Sequence, residues 1–182
     1  MGDHVLHLYR DDQERERAVA DTFAWLPQGA KMLVFSPQGN LPSHLSNGNG
    51  LMRDSRSAVR GGRLVSLRSD DLYIPDGSFD SQATLGKLTD AAERAESEGF
   101  KSLVAVGDAS RIVDTKESNP EYVRYETAVN FLDLPIDVAF ICQYDRRIMP
   151  PDHLRRVVSV HDKLLRDRQL ERNCWFISRR GV

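Results

Sequence analysis

The sequence predicts an α/β fold, a three-layer sandwich built on a mostly parallel central sheet. Short runs rich in β-branched and aromatic residues, such as 31–36 (KMLVFS) and 136–142 (IDVAFIC), recur along the chain and read as strands buried on both faces. Between them lie segments whose apolar residues repeat every three or four positions, as amphipathic helices require. A length of 182 residues holds one well-buried core and is short for two, so residues 1–182 are expected to form a single domain. Strands that alternate with helices pair in parallel and carry helices on both faces.

The first strand is expected at Val5 to Tyr9. A helix follows, with Asp11 or Asp12 as N-cap, Val19, Phe23 and Leu26 as its apolar stripe, and Pro27 and Gly29 as its stop. Lys31 to Ser36 is the second strand. The stretch 40–62 reads as a glycine-rich mobile loop (SNGNG) followed by a short helix (LMRDSRSAVR), and the glycines are alternatively the hinge of a lid. Arg63 to Leu67 is a third strand, and Leu72 to Ile74 resumes an extended run before the Pro75-Asp76-Gly77 turn. Leu85, Leu88, Ala92 and Ala95 mark a helix within 79–98 that Gly99 closes.

Ser102 to Val106 is the next strand, and a polar loop runs from Asp108 to Ser118. Asn119 then caps a helix with Pro120 at its first position; Val123, Glu126, Val129 and Asn130 fall near one face. Pro135 precedes the most apolar strand, Ile136 to Cys142, which delivers Cys142, Tyr144 and Asp145 at its carboxyl end, where open α/β sheets place their ligand crevice. Pro150 and Pro151 start a helix through Arg166, with Leu154, Val157, Val158, His161 and Leu165 on one face, so His161 looks inward. Residues Asn173 to Arg179 make the final strand.

Composition narrows the function. With 40% hydrophobic and 29% charged residues and a net charge of −2, the chain has the make-up of a soluble globular protein, and no charge argument favours nucleic acid or an anionic membrane. No apolar run reaches the length of a membrane span, and the start, MGDHVLHLYRDD, lacks a signal-peptide pattern; a cytoplasmic location is expected. Two cysteines, Cys142 and Cys174, do not make a disulfide framework, and both are expected reduced. The element order resembles a RecA/P-loop-type core without a Walker A motif: the loop after the second strand, SPQGNLPSHL, lacks the glycine-rich phosphate cradle and its lysine, which argues against ATP hydrolysis by that route.

Five groups are candidates for one small-molecule site: His4, Glu126, Cys142, Tyr144 and His161, with His7 as the alternative to His4. Strand alternation sends Cys142 and Tyr144 to the same face and His4 and His7 to opposite ones. A few convergent polar groups in an apolar lining is how small-molecule sites are built. Each residue also has a plainer reading: Cys142 as a small buried hydrophobe, His161 as a core histidine bonded to a backbone carbonyl, Glu126 as a buried carboxylate paired with Arg124, Arg146 or Arg147. The Asp145-Arg146-Arg147 run is either an anion site or a solvated turn. No metal and no other cofactor is expected, because the candidate ligands lack the two-to-four-residue pairing of structural zinc sites. A Cys142–His161 nucleophile pair is a minority enzyme reading.

The chain resembles the MEDS domain, a sensory domain named from methanogen and methylotroph regulators. The resemblance rests on Asp3-His4 and the apolar run to Tyr9, on Tyr125-Glu126 opening a helix, and on Cys142, Tyr144, Asp145, Arg146, Arg147 and His161 in order. It departs from the family pattern at Ala30-Lys31, where the family shows Gly-Glu, and at Asp108, where it shows Glu. The resemblance implies a non-catalytic domain that senses simple hydrocarbon derivatives and acts with histidine kinases or sigma-factor regulators. With no output domain expected in the chain, the signal passes by contact with such a partner. The alternative is a ligand-free protein-interaction module on a degenerate nucleotide-hydrolase-like scaffold; a Cys- or metal-dependent enzyme ranks third.

Overall fold

Strands with apolar side chains on both faces need helices on both sides, and the computed structural model, which describes residues 2–46, 51–113 and 120–177, shows that arrangement. The strands are β1 (His4–Tyr9), β2 (Ala30–Ser36), β3 (Leu64–Arg68), β4 (Ser102–Asp108), β5 (Asp137–Asp145), β6 (Lys163–Arg166) and β7 (Gln169–Arg172). They form one sheet in the order β3-β2-β4-β5-β1-β6-β7, parallel throughout except for the β6–β7 pair. The helices are α1 (Asp12–Ala24), α2 (Ser43–Ser46), α3 (Leu51–Arg60), α4 (Ser69–Tyr73), α5 (Ser81–Ser97), α6 (Ser110–Val113), α7 (Pro120–Val129) and α8 (Pro151–Val160).

Alternation along the strands divides the core in two. Leu6, Leu33, Phe35, Ala105, Phe140, Cys142 and Tyr144 face one side, under α4, α5, α7 and α8. Val5, Met32, Val34, Leu64, Val106 and Ile141 face the other, under α1, α2 and α3. The three-layer sandwich read from the sequence is therefore present. The N-cap expected at α1 forms, with Asp11 Oδ1 accepting from Glu14 N at 2.8 Å, and Asp80, which the sequence reading did not name, caps α5 by accepting from Ala83 N at 2.9 Å.

Three local expectations are corrected. The extended run at Leu72 to Ile74 is instead largely α4, because Ser69, Leu72 and Tyr73 are buried at helical, three- and four-residue spacing. The helix expected to reach Arg166 ends at Val160, and Leu165 lies on β6. Its last four carbonyls are each taken by a donor: Val157 O by His161 Nδ1 (2.6 Å), Val158 O by Asn173 Nδ2 (2.6 Å), Ser159 O by Ile177 N (2.9 Å) and Val160 O by Asn130 Nδ2 (2.9 Å). Helix ends are stable where these orphan carbonyls find partners, and here every one does. The strand expected at 173–179 is, over 173–177, a turn that wraps this helix end with Asn173 buried and Trp175 and Ile177 exposed. Within 114–119 and 47–50 the expected Asn119 cap and most of the glycine-rich loop lie outside the described residues.

Gly107 on β4 sits beside Cys142 in the register, and a Cβ built there would meet the Tyr73 hydroxyl at 2.2 Å. Its missing side chain lets Tyr73 reach under the sheet, where it meets Tyr125 edge-on at 6.4 Å between ring centroids. Gly107→Ala is expected to lower unfolding free energy by roughly 1–3 kcal/mol through overpacking. Adding Tyr73→Phe should recover most of that loss, a coupling that urea titration of both single variants and the double variant measures.

Candidate functional site

The register of β1 against β5 pairs His4 with Phe140, Leu6 with Cys142 and Leu8 with Tyr144. Paired residues of parallel strands project to one face, so His4, Cys142 and Tyr144 share the side covered by α7 and α8. Glu126 comes down from α7, and His161 enters from the first residue after α8, which has left the helix with an extended backbone. All five residues expected from sequence thus converge, and all are buried, Glu126 and His161 completely (0% exposed). His7, the alternative to His4, points to the opposite face.

The centre of the group is the Glu126 carboxylate. Oε1 accepts from the hydroxyls of Tyr122 (2.6 Å) and Tyr144. Oε2 faces His4 Nε2 at 3.0 Å, His161 Nε2 at 3.5 Å and the Cys142 sulfur at 3.8 Å. The arginine pairing expected for Glu126 is overturned: among the described residues no arginine reaches it, Arg124, Arg146 and Arg147 are exposed, and Arg147 Nε donates to Asp145 at 2.8 Å. Phenols, not a guanidinium, stabilise the carboxylate. Asp145-Arg146-Arg147 is accordingly closed partly on itself.

Both imidazoles are held by their far nitrogens. Val157 O can only accept, so His161 Nδ1 carries the hydrogen there; Asn130 Oδ1 takes His4 Nδ1 at 3.3 Å, while the Asn130 amide donates to Val160 O. In the neutral tautomers both Nε2 lone pairs therefore point at Glu126. His161 Nε2 has no hydrogen-bond partner among the described residues. Burial, then the neighbouring His4, lowers the His161 pKa to about 3, so this ring is neutral at physiological pH. Burial and the Glu126 charge push the Cys142 thiol up, which keeps it protonated and works against a nucleophilic thiolate. His4 Nε2, Glu126 Oε2, Cys142 Sγ and His161 Nε2 lie within 4.8 Å of one another, each offering one ligand atom suited to a metal ion.

Space around the group is uneven. Cys142 borders a void of about 10 Å³, room for a single water at most. His4 and Asn130 instead also line an open groove of about 810 Å³ at the amino ends of β4 and β5, whose apolar wall includes Phe131, Leu132, Leu134 and Ile136. Phe79 packs edge-on against Tyr122 and Tyr125, with centroids at 5.9 and 5.4 Å, and closes the other side.

Sequence reading missed Tyr122 as a partner of Glu126 and Asn130 as the link between His4 and α8. The signal was present: Tyr122, Glu126 and Asn130 are spaced by four along α7 and the residue that follows it, and form a single polar stripe. It also missed a second buried network on the opposite face, at the carboxyl ends of β1, β4 and β5. Tyr9 donates to Asp108 (3.0 Å), Arg15 pairs with Asp108 (3.3 Å), Ser110 Oγ accepts from Asp145 N (2.8 Å), and Gln143 Nε2 donates to His7 Nδ1 (3.0 Å). Asp108 thus supplies the carboxylate at the centre of this network, and Lys31 pairs with Glu98.

Burial lowers the His7 pKa from 6.5 to about 4, with Glu14 and Asp108 opposing. A histidine whose folded pKa is depressed contributes stability that is fully present above its unfolded pKa and is lost as pH falls toward the folded value. Unfolding free energy should therefore fall between pH 6.5 and about 4, with roughly 3 kcal/mol attributable to His7. His7→Gln should flatten the slope in urea titrations across that range; an unchanged slope would show that His7 is not held neutral.

The family described as MEDS, the methanogen/methylotroph DcmR sensory domain, matches residues 3–162 of the 182. The match takes in every member of the Glu126 group, from His4 to His161. A comparison with curated proteins gives no match.

Proposed function

From the premise that this chain belongs to the MEDS family of sensory domains, we propose that it senses a small organic ligand without catalysis and passes the result to a signalling protein. A simple hydrocarbon derivative is the ligand class and a histidine kinase or sigma-factor regulator the partner class. The observation that carries this reading is the position of Asn130. Its side chain lies at once in the wall of the 810 Å³ groove, on His4, and on the terminal carbonyl of α8.

A groove of that volume, with an apolar wall at Phe131, Leu132, Leu134 and Ile136 and polar groups that include Glu96, Lys101, Asp133 and Asp137, has room for a small molecule, whereas the packed Glu126 group beneath it does not. The ligand therefore docks in the groove against Phe131 and competes for the Asn130 amide or the His4 ring. Losing the Asn130 bond removes one of the four donors that hold the end of α8, from which β6 and β7 follow directly. Leu170 on β7 and, beyond it, Trp175 and Ile177 are exposed and offer the apolar contact through which a partner can read the change. A ligand transmits only by favouring one of two such arrangements.

The tight packing around Cys142 supports a second reading, a ligand-free interaction module. A thermal-shift series with short-chain alcohols, aldehydes, amines and halogenated alkanes separates the two. A saturable rise in midpoint is expected for at least one class, and Phe131→Ala, at an exposed position, should abolish it while leaving the unliganded midpoint within a few degrees. A protein that folds normally and responds to none of these compounds would leave the interaction module as the better account.

A further inference from the structure

We infer that the Glu126 group is a binding site for one divalent transition-metal ion of the zinc class, ligated by His4 Nε2, Glu126 Oε2, Cys142 Sγ and His161 Nε2. Two imidazoles, a thiolate and a carboxylate are the donor types that such borderline ions take. The donors come from four different elements, β1, α7, β5 and the residue after α8, and none is within four residues of another.

Distances carry the first part of the argument. A tetrahedral ion with bonds of about 2.0–2.3 Å holds its donor atoms roughly 3.3–3.8 Å apart. Here His4 Nε2 is 3.0 Å from Glu126 Oε2 and 3.4 Å from Cys142 Sγ, His161 Nε2 is 3.5 Å from Oε2, and Sγ is 3.8 Å from Oε2. The other two pairs, from His161 Nε2 to His4 Nε2 and to Cys142 Sγ, lie within 4.8 Å, so shifts of up to about 1 Å complete the tetrahedron. The His4 and His161 rings lie with centroids 3.9 Å apart and planes tilted by 37°, and both Nε2 atoms face Glu126 Oε2.

Orientation carries the second. Metal-bound histidines donate their other nitrogen to a carbonyl, and ligating carboxylates are themselves hydrogen-bonded. Val157 O and Asn130 Oδ1 hold the two Nδ1 atoms, and Tyr122 and Tyr144 occupy Oε1, leaving Oε2 directed inward. Every outer partner is already in place.

Charge carries the third. Without an ion, His4 Nε2, His161 Nε2 and Glu126 Oε2 crowd one buried point, and His161 Nε2 is left without a hydrogen-bond partner among the described residues. A buried polar atom in that state is costly. A divalent ion with one thiolate, one carboxylate and two neutral imidazoles makes a neutral complex, the form that a low-dielectric interior tolerates best. On binding, the Cys142 S–H bond breaks, a sulfur–metal bond forms, and the proton leaves to solvent.

This inference deepens the sensory reading and rests on it for the ion's purpose, which is to lock β1, α7 and α8 together so that a ligand acting on His4 and Asn130 works against a rigid centre. Its test is the full chain, stripped with a chelator, dialysed, and titrated with Zn²⁺ and with Co²⁺ alone. The expected result is one ion per chain, tetrahedral cobalt absorption with a thiolate-to-cobalt charge-transfer band, and a raised melting midpoint. Cys142→Ser should remove that band, and Tyr122→Phe, which keeps the packing, should weaken Zn²⁺ binding about tenfold, at the lower end of outer-partner effects. A stripped protein that is folded by circular dichroism yet takes up neither ion at stoichiometry overturns the inference, and so does a charge-transfer band that survives Cys142→Ser. If metal binding fails while an organic ligand still shifts the midpoint, the sensory reading stands alone; if metal binds and no organic ligand does, the centre stands and ligand sensing falls.

Discussion

A buried carboxylate with no guanidinium or ammonium beside it has to be stabilised by whatever the fold can bring to it. Among the described residues Glu126 is that group, and the architecture on one side of the sheet follows from it. Two tyrosine hydroxyls from α7 and β5 take one oxygen; a histidine from β1, a cysteine from β5 and a histidine beyond α8 surround the other. Ionised carboxylates left unpartnered in an apolar interior cost several kcal/mol. Each of these contacts therefore fixes the placement of an element as well as the charge.

The strand order makes this possible. β1 lies between β5 and β6, so the first strand in sequence becomes an inner strand of the sheet with later strands on both sides. His4 is thereby set beside Phe140 and within reach of His161, although the three are far apart along the chain. The opposite face uses the same strands for a different purpose. There Tyr9, Arg15, Asp108, Ser110 and Gln143 are mutually satisfied, which ties the carboxyl ends of β1, β4 and β5 together.

Most of the fold was legible because the signals were local. Runs such as 31–36 and 136–142 announce strands, and Asp11 and Gly99 mark helix ends. The errors fell where tertiary contacts decide: α8 stops at Val160 because Asn130 and Asn173, residues from other segments, supply its last donors, and nothing inside the helix sequence shows this. In the site, the five residue types and their shared face were readable from strand alternation and family pattern. What holds Glu126 was not, since arginine is the usual partner of a buried carboxylate and the tyrosine at four-residue spacing was passed over. That four dispersed ligands meet at one point was equally hidden, because local spacing reports only sites built from one or two loops.

The capped end of α8 has a consequence for how the molecule is made. A chain synthesised from its amino end exposes α8 before residues 173–177 exist, so two of the four terminal carbonyls stay open to water until Asn173 and Ile177 emerge. The carbonyl of His161, which accepts from Asn173 Nδ2 at 2.7 Å, likewise waits for that turn to close. The Glu126 group is complete in sequence at His161, yet the helix end that carries this histidine is fully capped only when the last described segment has emerged.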